Sequence, residues 1–361
     1  MIILTILAVL LVFTFLVVIH EFGHFVVARR NGVRVDEFGV GFPPRLWGKK
    51  KGGVLYSINA LPLGGFVKIK GETGDDKSKD SFSGQTTWVK TKILLAGVGM
   101  NLLFAYLALT VLAAIGMPPV LPGKMPSFGP IQPQVAGDAH LLVLQVSQTS
   151  PAAQVGIKSG DWIVSYDGQP ATSTEALRTF TKENAGKTVE VATKHNGREE
   201  TKQVTLAADT KDNSYLGVAT MPEQFVHYDL WAAPIAAFIL VLQLIWGTLA
   251  AFGGLITGLF LHAKVGENVT GPIGITAIFS QIFKFGWRYV LSLMAVISMS
   301  LAVVNALPIP ALDGGRLLMV LVSRTGVKVD ARVENLIHIA GFAALIILMV
   351  VVSIADIARL R

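Results

Sequence analysis

Five long apolar stretches alternate with polar segments along the chain, and this pattern predicts a protein that crosses a membrane several times. The stretches are residues 2–25, 93–116, 231–261, 289–310 and 335–355. Each has the roughly 20 residues that an α-helix needs to cross the hydrocarbon core of a bilayer. We therefore expect a polytopic α-helical membrane protein with polar connections.

The largest polar segment, residues 125–222, has the composition of a small folded domain. Thr188 to His195 alternates between apolar and polar side chains, Asn196-Gly197 follows, and a second run ends at Leu206. Asn-Gly between two such runs is a strong hairpin signal. A β-rich domain inserted here divides the chain into an N-terminal membrane half, the insert and a C-terminal membrane half: 1–124, 125–222 and 223–361.

The polar connection after the first apolar stretch contains an unusually apolar segment, Val54–Lys70. Its pattern predicts two short strands around a turn at Leu61–Gly65. This β-hairpin is either an ordinary surface feature or one that faces the membrane beside the site described below. In the second case its edge can pair with an extended peptide, and Gly64, Gly65 and Phe66 become candidate substrate-binding residues.

Composition supports the membrane assignment and narrows the function. The chain has 361 residues, of which 52% are hydrophobic and only 15% charged, well below the charge of soluble domains. Thirteen of the 31 Lys and Arg lie between Arg29 and Lys92, as the positive-inside rule expects of a cytoplasmic connection. The net charge of +7 therefore needs no nucleic-acid partner. The absence of Cys excludes disulfides and thiolate metal ligands.

The first apolar stretch lacks the basic start and the small-residue cleavage site of a signal peptide. We expect a retained span with its N-terminus outside and Arg29-Arg30 inside.

That span ends in a metal-binding sequence. Residues 20–24 read His-Glu-Phe-Gly-His. Histidines at i and i+4 share one helix face and can hold one Zn²⁺, while the intervening Glu21 can act as a base on water. The alternative is a helix end whose histidines lie at the lipid headgroups. We favour the metal site at His20 and His24, because ionisable side chains at membrane depth are costly without a function.

A catalytic zinc site needs a third protein ligand. Asp36 and Glu37 are nearby in sequence but lie in the basic connection. Asp313 is the better candidate, because it follows an apolar stretch that Pro308 and Pro310 interrupt. A broken helix at membrane depth is tolerated where it lines a cavity. The alternative interpretation of Asp313 is an ordinary Asp-Gly turn outside the membrane.

The metal constrains the topology. If His20, His24 and Asp313 meet near the inner side, the segment 289–310 must run inward. Residues 231–261 then do not cross as a single helix but lie along the outer leaflet or re-enter it, which leaves four transmembrane helices plus a membrane-associated segment.

Several motifs together resemble the site-2 protease family of intramembrane zinc metalloproteases, in its bacterial RseP-type branch. They are HEFGH at 20–24, LPLGGFVKIKGE from Leu61, a PDZ-like insert, Gly-Pro-Ile-Gly-Ile at 271–275 and NALPIPALDGG from Asn305. The resemblance implies zinc ligands His20, His24 and Asp313, the catalytic base Glu21, and Asn305 as a contact to the substrate backbone. It also implies a bacterial inner-membrane location with an extracytoplasmic PDZ domain. Relatives often have proline after the glycine in AGVGMN at 96–101, so the resemblance assigns no role to Asn101.

The expected function is hydrolysis of transmembrane proteins or peptides, such as anti-sigma factors, other membrane regulators or remnant signal peptides. The PDZ domain would bind a peptide or restrict access by size. Two alternatives belong to other classes: a membrane-anchored PDZ scaffold with a structural metal, and a metal transporter. A structural zinc usually has four protein ligands, whereas the predicted set has three, and this argues against the scaffold. A transporter would need further metal ligands within the apolar stretches, and none is evident there.

Overall fold

The computed structural model describes residues 2–72, 76–118, 125–195, 198–209, 214–262, 279, 282–283, 285–325 and 331–360. The helices within them are α1 (Ile2–Arg30), α2 (Thr87–Ile115), α3 (Pro151–Gln154), α4 (Thr174–Glu183), α5 (Ala233–His262), α6 (Trp287–Ala306), α7 (Asp313–Arg324) and α8 (Ala331–Leu360). The strands are β1 (Val35–Lys51), β2 (Val54–Ile69), β3 (Gln134–Val146), β4 (Trp162–Tyr166), β5 (Gln169–Pro170), β6 (Thr188–His195), β7 (Arg198–Thr205) and β8 (Val218–His227). The chain forms two compact units, residues 1–109, 237–279 and 293–361 in the first and 110–236 and 280–292 in the second.

The membrane assignment agrees with the structure. Among the described residues, five helices are long and apolar enough to cross a bilayer: α1, α2, α5, α6 and α8. Large apolar side chains remain exposed on them, for example Trp246 at 75% and Ile347 at 64%. Lipid is the solvent that such surfaces require. The chain is a polytopic helical membrane protein with an inserted β-rich domain.

Helix α5 occupies the apolar segment 231–261. It is one continuous helix of 30 residues, a form that a segment lying along the outer leaflet can also adopt. Its glycines weaken a helix but keep every backbone N–H, whereas its one proline, Pro234, lies in the first turn, where proline is tolerated. The segment is thus long enough to cross. Its placement along or within the outer leaflet stays a prediction.

The hairpin in the first unit is larger than predicted. β1 and β2 pair in antiparallel register around Gly52 and Gly53, and both strands bend. The first part of β1 pairs on one side with residues 65–69 and on the other with residues 55–58. Residues 55–58 and 65–69 run in opposite directions, so the chain reverses between them at the predicted turn, but the two segments lie on either side of β1 instead of pairing with each other. The true partner of both halves of β2 is β1, whose basic and proline-containing sequence hid its strand pattern.

The inserted domain, in the second unit, is built on an antiparallel sheet with the strand order β7-β6-β4-β3-β8, and β5 pairs with β4. α3, α4 and the sheet enclose a core that includes Leu141, Ile163, Leu177, Val191 and Val204. The two strands predicted on either side of Asn196-Gly197 are present as β6 and β7, and the turn itself lies outside the described residues. β8 continues to His227, beyond the predicted boundary at residue 222.

The predicted helix break is confirmed: α6 ends at Ala306 and α7 begins at Asp313. Glycines make the tight return possible. A Cβ on Gly314 would lie 2.2 Å from the Leu307 carbonyl oxygen, and one on Gly315 would lie 2.1 Å from that of Ile309. The result is a short irregular segment that turns the chain and places Asp313 in the first turn of α7. The Gly-Pro-Ile-Gly-Ile motif at 271–275 lies outside the described residues.

Candidate metal centre

The two histidines of the first span face the same space. His20 and His24 lie one turn apart on α1, and their Nε2 atoms are 3.1 Å apart. Both residues are buried, at 7% and 6% exposure. Burial of two imidazoles among apolar helices is costly unless their nitrogens are satisfied, which points to a metal or to a network of hydrogen bonds.

Asp313 completes a three-ligand cluster. Its Oδ2 atom lies 2.9 Å from His20 Nε2 and 3.3 Å from His24 Nε2. The ligand atoms of the three residues all lie within 4.8 Å of one another. Ligand atoms 2.0–2.1 Å from a tetrahedral zinc are about 3.3 Å apart, so the arrangement fits this ion closely. Within the described parts of the chain, the cluster offers three protein ligands, the number that a catalytic zinc site has.

Helix α2 leaves room for the ion. A Cβ on Gly97 would lie 2.4 Å from His24 Nε2 and 2.6 Å from His20 Nε2. Any side chain at this position would occupy the space that both nitrogens face. A neighbouring glycine on α1 explains why α2 can come so close, since a Cβ on Gly23 would lie 2.3 Å from the Ala96 carbonyl oxygen.

The far side of each imidazole is also engaged. His24 Nδ1 is 2.7 Å from the Ile93 carbonyl oxygen, which can only accept a hydrogen bond. The proton of His24 therefore sits on Nδ1, and Nε2 is free to bind a metal. His20 Nδ1 lies 3.4 Å from the side-chain amide of Asn101.

Glu21 links the centre to the hairpin. Its Oε2 atom accepts a hydrogen bond of 3.0 Å from the backbone N–H of Val67 in β2. The carboxylate lines the same cavity as the metal cluster. This is a suitable position for a general base, which must lie within reach of the water it deprotonates.

A cavity of about 380 Å³ surrounds these groups. Its walls include most of the predicted site residues: His20, Glu21, His24, Phe66, Asn305 and Asp313. Asn305, near the end of α6, therefore lies at the site where the resemblance placed a substrate contact. A cavity of this size accommodates a short stretch of extended peptide.

Gly64 and Gly65 lie against α1. A Cβ on Gly64 would meet Val17 Cγ1 at 3.2 Å, and one on Gly65 would meet Val18 Cγ2 at 2.9 Å. Thr14 fixes the same segment, because its hydroxyl donates to the Pro62 carbonyl at 2.6 Å and accepts from the Gly64 N–H at 3.2 Å. The strand thus follows α1 from Thr14 to Glu21. These glycines permit the close approach of strand and helix, and their contact with substrate stays a prediction.

Sequence reasoning missed three contributors. Thr14 and His338 belonged to no motif, and Asn101 had no assigned role. His338 Nδ1 accepts the Ala311 N–H at 2.9 Å. Ala311 has a positive φ of 79°, which is unfavourable for a residue with a side chain. His338 therefore supports the strained segment that leads to Asp313. The only signal in the sequence was that these polar residues interrupt apolar stretches.

The fold and the site define a class of protein. A His-Glu-Phe-Gly-His helix and an aspartate from a broken helix meet in a cavity among membrane helices, as in an intramembrane zinc metalloprotease. The model of peptidase family M50 matches residues 8–348, and the chain belongs to this family.

Named relatives cover nearly the whole chain. The regulator of sigma-E protease RseP of Salmonella typhimurium is 28% identical over 96% of both chains. The regulator of sigma-W protease RasP of Bacillus subtilis is 27% identical over 99% of both, and the zinc metalloprotease RasP of Geobacillus kaustophilus is 27% identical over 98% of both. A crystal structure of the PDZ domain of an SdrC-like protein from Listeria monocytogenes is 27% identical, covers 24% of this chain and 93% of its own, and has a TM-score of 0.22.

Proposed function

We propose that this zinc metalloprotease cleaves transmembrane substrates at a centre formed by His20, His24 and Asp313, with Glu21 as the catalytic base. The observation that carries the proposal is the meeting of three ligand atoms within 4.8 Å, although Asp313 is 293 residues from His20 in sequence. Bound Zn²⁺ supplies Lewis acidity, which polarises the scissile carbonyl and lowers the pKa of water toward 7.

The residues of the chain carry the proton transfers. Glu21 takes a proton from the attacking water and returns one to the departing amine nitrogen. The Val67 N–H holds one oxygen of the Glu21 carboxylate, which leaves the other oxygen free for the proton. This contact also fixes the rotamer of Glu21, so that the base keeps its position through the reaction.

A transmembrane substrate must unwind before it is cleaved, because a helix hides its carbonyls in i→i−4 hydrogen bonds. We infer that the outer part of β2, residues 61–69, holds the unwound segment by strand addition. This part of β2 pairs with β1 along one side and lies beside α1 and the cavity. The amide of Asn305 would then contact the substrate backbone from the opposite wall.

The inserted domain is proposed to lie outside the cytoplasmic membrane and to limit which substrates reach the centre. The basic Arg29-Arg30 at the end of α1 supports an inward C-terminal end for this helix, and α2 then runs outward to the insert. Relatives named for control of sigma-E and sigma-W support membrane-bound regulators as a substrate class. Remnant signal peptides are a second class of the same chemistry.

The test of the proposed function is cleavage in a defined membrane. The purified protein and a single-span substrate are placed in phosphatidylcholine vesicles, and the products are located by mass spectrometry. We expect a cut within the apolar span, lost on chelation and restored by zinc. A cut confined to the exposed ends of the substrate would refute intramembrane hydrolysis.

Loosening the strand beside α1 should impair substrate handling without affecting the metal. Thr14→Val keeps the shape of the side chain but removes both hydrogen bonds to the 62–64 segment. At roughly 0.5–1.5 kcal/mol for each of the two bonds, we expect kcat/KM to fall about 5- to 150-fold with unchanged zinc content. Thr257→Val is the matched control, since Thr257 donates to the carbonyl oxygens of Gly253 and Gly254 within α5, at 3.0 and 3.1 Å. Equal activity in the two variants would contradict a role for this segment.

A further inference from the structure

One buried side chain next to the metal cluster has a polar atom without a hydrogen-bond partner among the described residues. Asn101 on α2 is fully buried, at 0% exposure. Its Nδ2 atom lies 3.4 Å from His20 Nδ1, while Oδ1 has no hydrogen-bond partner within the described parts of the chain. Because a buried amide oxygen without a partner is unfavourable, this arrangement calls for an explanation.

The position of the proton on the His20 ring explains this arrangement. Without metal, His20 Nε2 can carry the proton and donate to Asp313 Oδ2 at 2.9 Å, and Nδ1 then accepts from the Asn101 amide. A neutral imidazole that offers Nε2 to a metal carries its proton on Nδ1 instead. That proton needs an oxygen acceptor, and the NH₂ group of an amide cannot serve as one.

Rotation of the Asn101 amide by half a turn meets this need. The two ends of an amide have nearly the same size, so rotation places Oδ1 where Nδ2 was. His20 then gains the kind of partner that His24 already has, since His24 Nδ1 lies 2.7 Å from the Ile93 carbonyl oxygen. Asn101 is also one of the residues that line the catalytic cavity.

We propose that Asn101 is a positioning residue of the zinc centre, whose Oδ1 accepts the Nδ1–H of His20 and holds Nε2 toward the ion. The inference rests on the ligand set proposed above. It assigns a role to the residue that follows Gly97 by one helical turn on the same helix. Gly97 and Asn101 thus lie on opposite sides of the His20 imidazole, Gly97 beside Nε2 and Asn101 beside Nδ1.

The structure offers a matched control for packing. Ser298 Oγ on α6 donates to the backbone carbonyl of Asn101 at 3.0 Å, and Ser298 is also fully buried. Ser298→Ala therefore disturbs the helix contact at Asn101 and leaves the side-chain amide in place. Any effect of general loosening between α2 and α6 should appear in this variant.

The experiment measures zinc affinity of the full-length protein in detergent by competition with a chelator of known affinity. Asn101→Leu keeps the branched shape of the side chain and removes the acceptor, and loss of such an outer partner typically costs 10- to 100-fold in affinity. Asn101→Asp retains an acceptor and should bind zinc within about threefold of the unmodified chain, as carboxylate–histidine–zinc arrangements do. Ser298→Ala should bind as the unmodified chain does.

Two results would overturn the inference alone: normal affinity in Asn101→Leu, or an equal loss in Asn101→Leu and Asn101→Asp. Absence of zinc binding in the unmodified chain would instead overturn the ligand set itself, together with the inference. If Asn101→Leu is not recovered folded, Asn101→Ala replaces it with the same two expectations, since the smaller side chain fits the space.

Discussion

Glu21→Gln should abolish cleavage while zinc stays bound. Glutamine has the shape of glutamate and can still accept the Val67 N–H through its oxygen, so the local structure should persist. It cannot take a proton from water at neutral pH. General base catalysis contributes roughly 10²–10⁴-fold, and we expect a loss in kcat of at least that order. The measurement combines single-turnover cleavage of a membrane substrate with zinc content by mass spectrometry.

A second carboxylate in the same cavity provides the control. Glu72 lines the cavity and forms an ion pair with Arg316 on α7. Glu72→Gln removes one negative charge from the cavity, as Glu21→Gln does, but the change lies outside the His-Glu-Phe-Gly-His turn. We expect its turnover to stay within a few-fold of the unmodified protein. Equal inactivation of both variants would mean that cavity charge, rather than a base at position 21, controls the reaction.

Asp313→Ala should remove both zinc and activity. The substitution leaves His20 and His24 as the only members of the cluster, and two ligands do not hold a catalytic zinc. Since loss of an outer partner alone costs 10- to 100-fold in affinity, loss of a direct ligand should exceed about 100-fold. We expect no stoichiometric zinc after purification and no detectable cleavage.

Asp36→Ala tests whether another acidic residue near the first span serves as the third zinc ligand. Asp36 follows the His-Glu-Phe-Gly-His turn closely in sequence, but in the structure its carboxylate pairs with Arg34 at the surface. This variant should keep its zinc and its activity. Loss of zinc from Asp36→Ala, with retention in Asp313→Ala, would reassign the third ligand.

The sequence allowed the metal cluster to be predicted because the membrane makes polar side chains informative. His20, His24 and Asp313 each interrupt or end an apolar stretch, where an ionisable group is costly without a partner. Few residues meet that description, so pairing the first motif with the Pro-broken segment required little further information. The helix break itself followed from proline chemistry at Pro308 and Pro310.

The hairpin was harder to predict because strand pairing is not local. Val54–Lys70 has an apolar pattern, but the residues that pair with it include Arg45 and Lys49, in a segment that looks like a basic loop. Its two halves run in opposite directions, as a turn at Leu61–Gly65 requires, but they pair with β1 and not with each other. Contacts such as Thr14 with Pro62 depend on this arrangement and have no sequence signal of their own.

Helix α5 and Asn101 show two further limits. Hydropathy identified the apolar segment at 231–261, and the structure forms one continuous helix there, but the position of this helix relative to the bilayer rests on the topological argument and stays a prediction. Asn101 was visible as a polar residue in an apolar stretch, but its neighbour could be identified only when α1 and α2 were seen together. The sequence predicts which side chains need partners more readily than which partners they find.

The most direct test of the central claim is X-ray absorption at the zinc edge of the purified protein. We predict one zinc per chain, with nitrogen and oxygen ligands at about 2.0–2.1 Å and the outer-shell scattering of two imidazoles. A protein without zinc, or a zinc whose spectrum shows fewer than two imidazoles, would contradict the proposed centre.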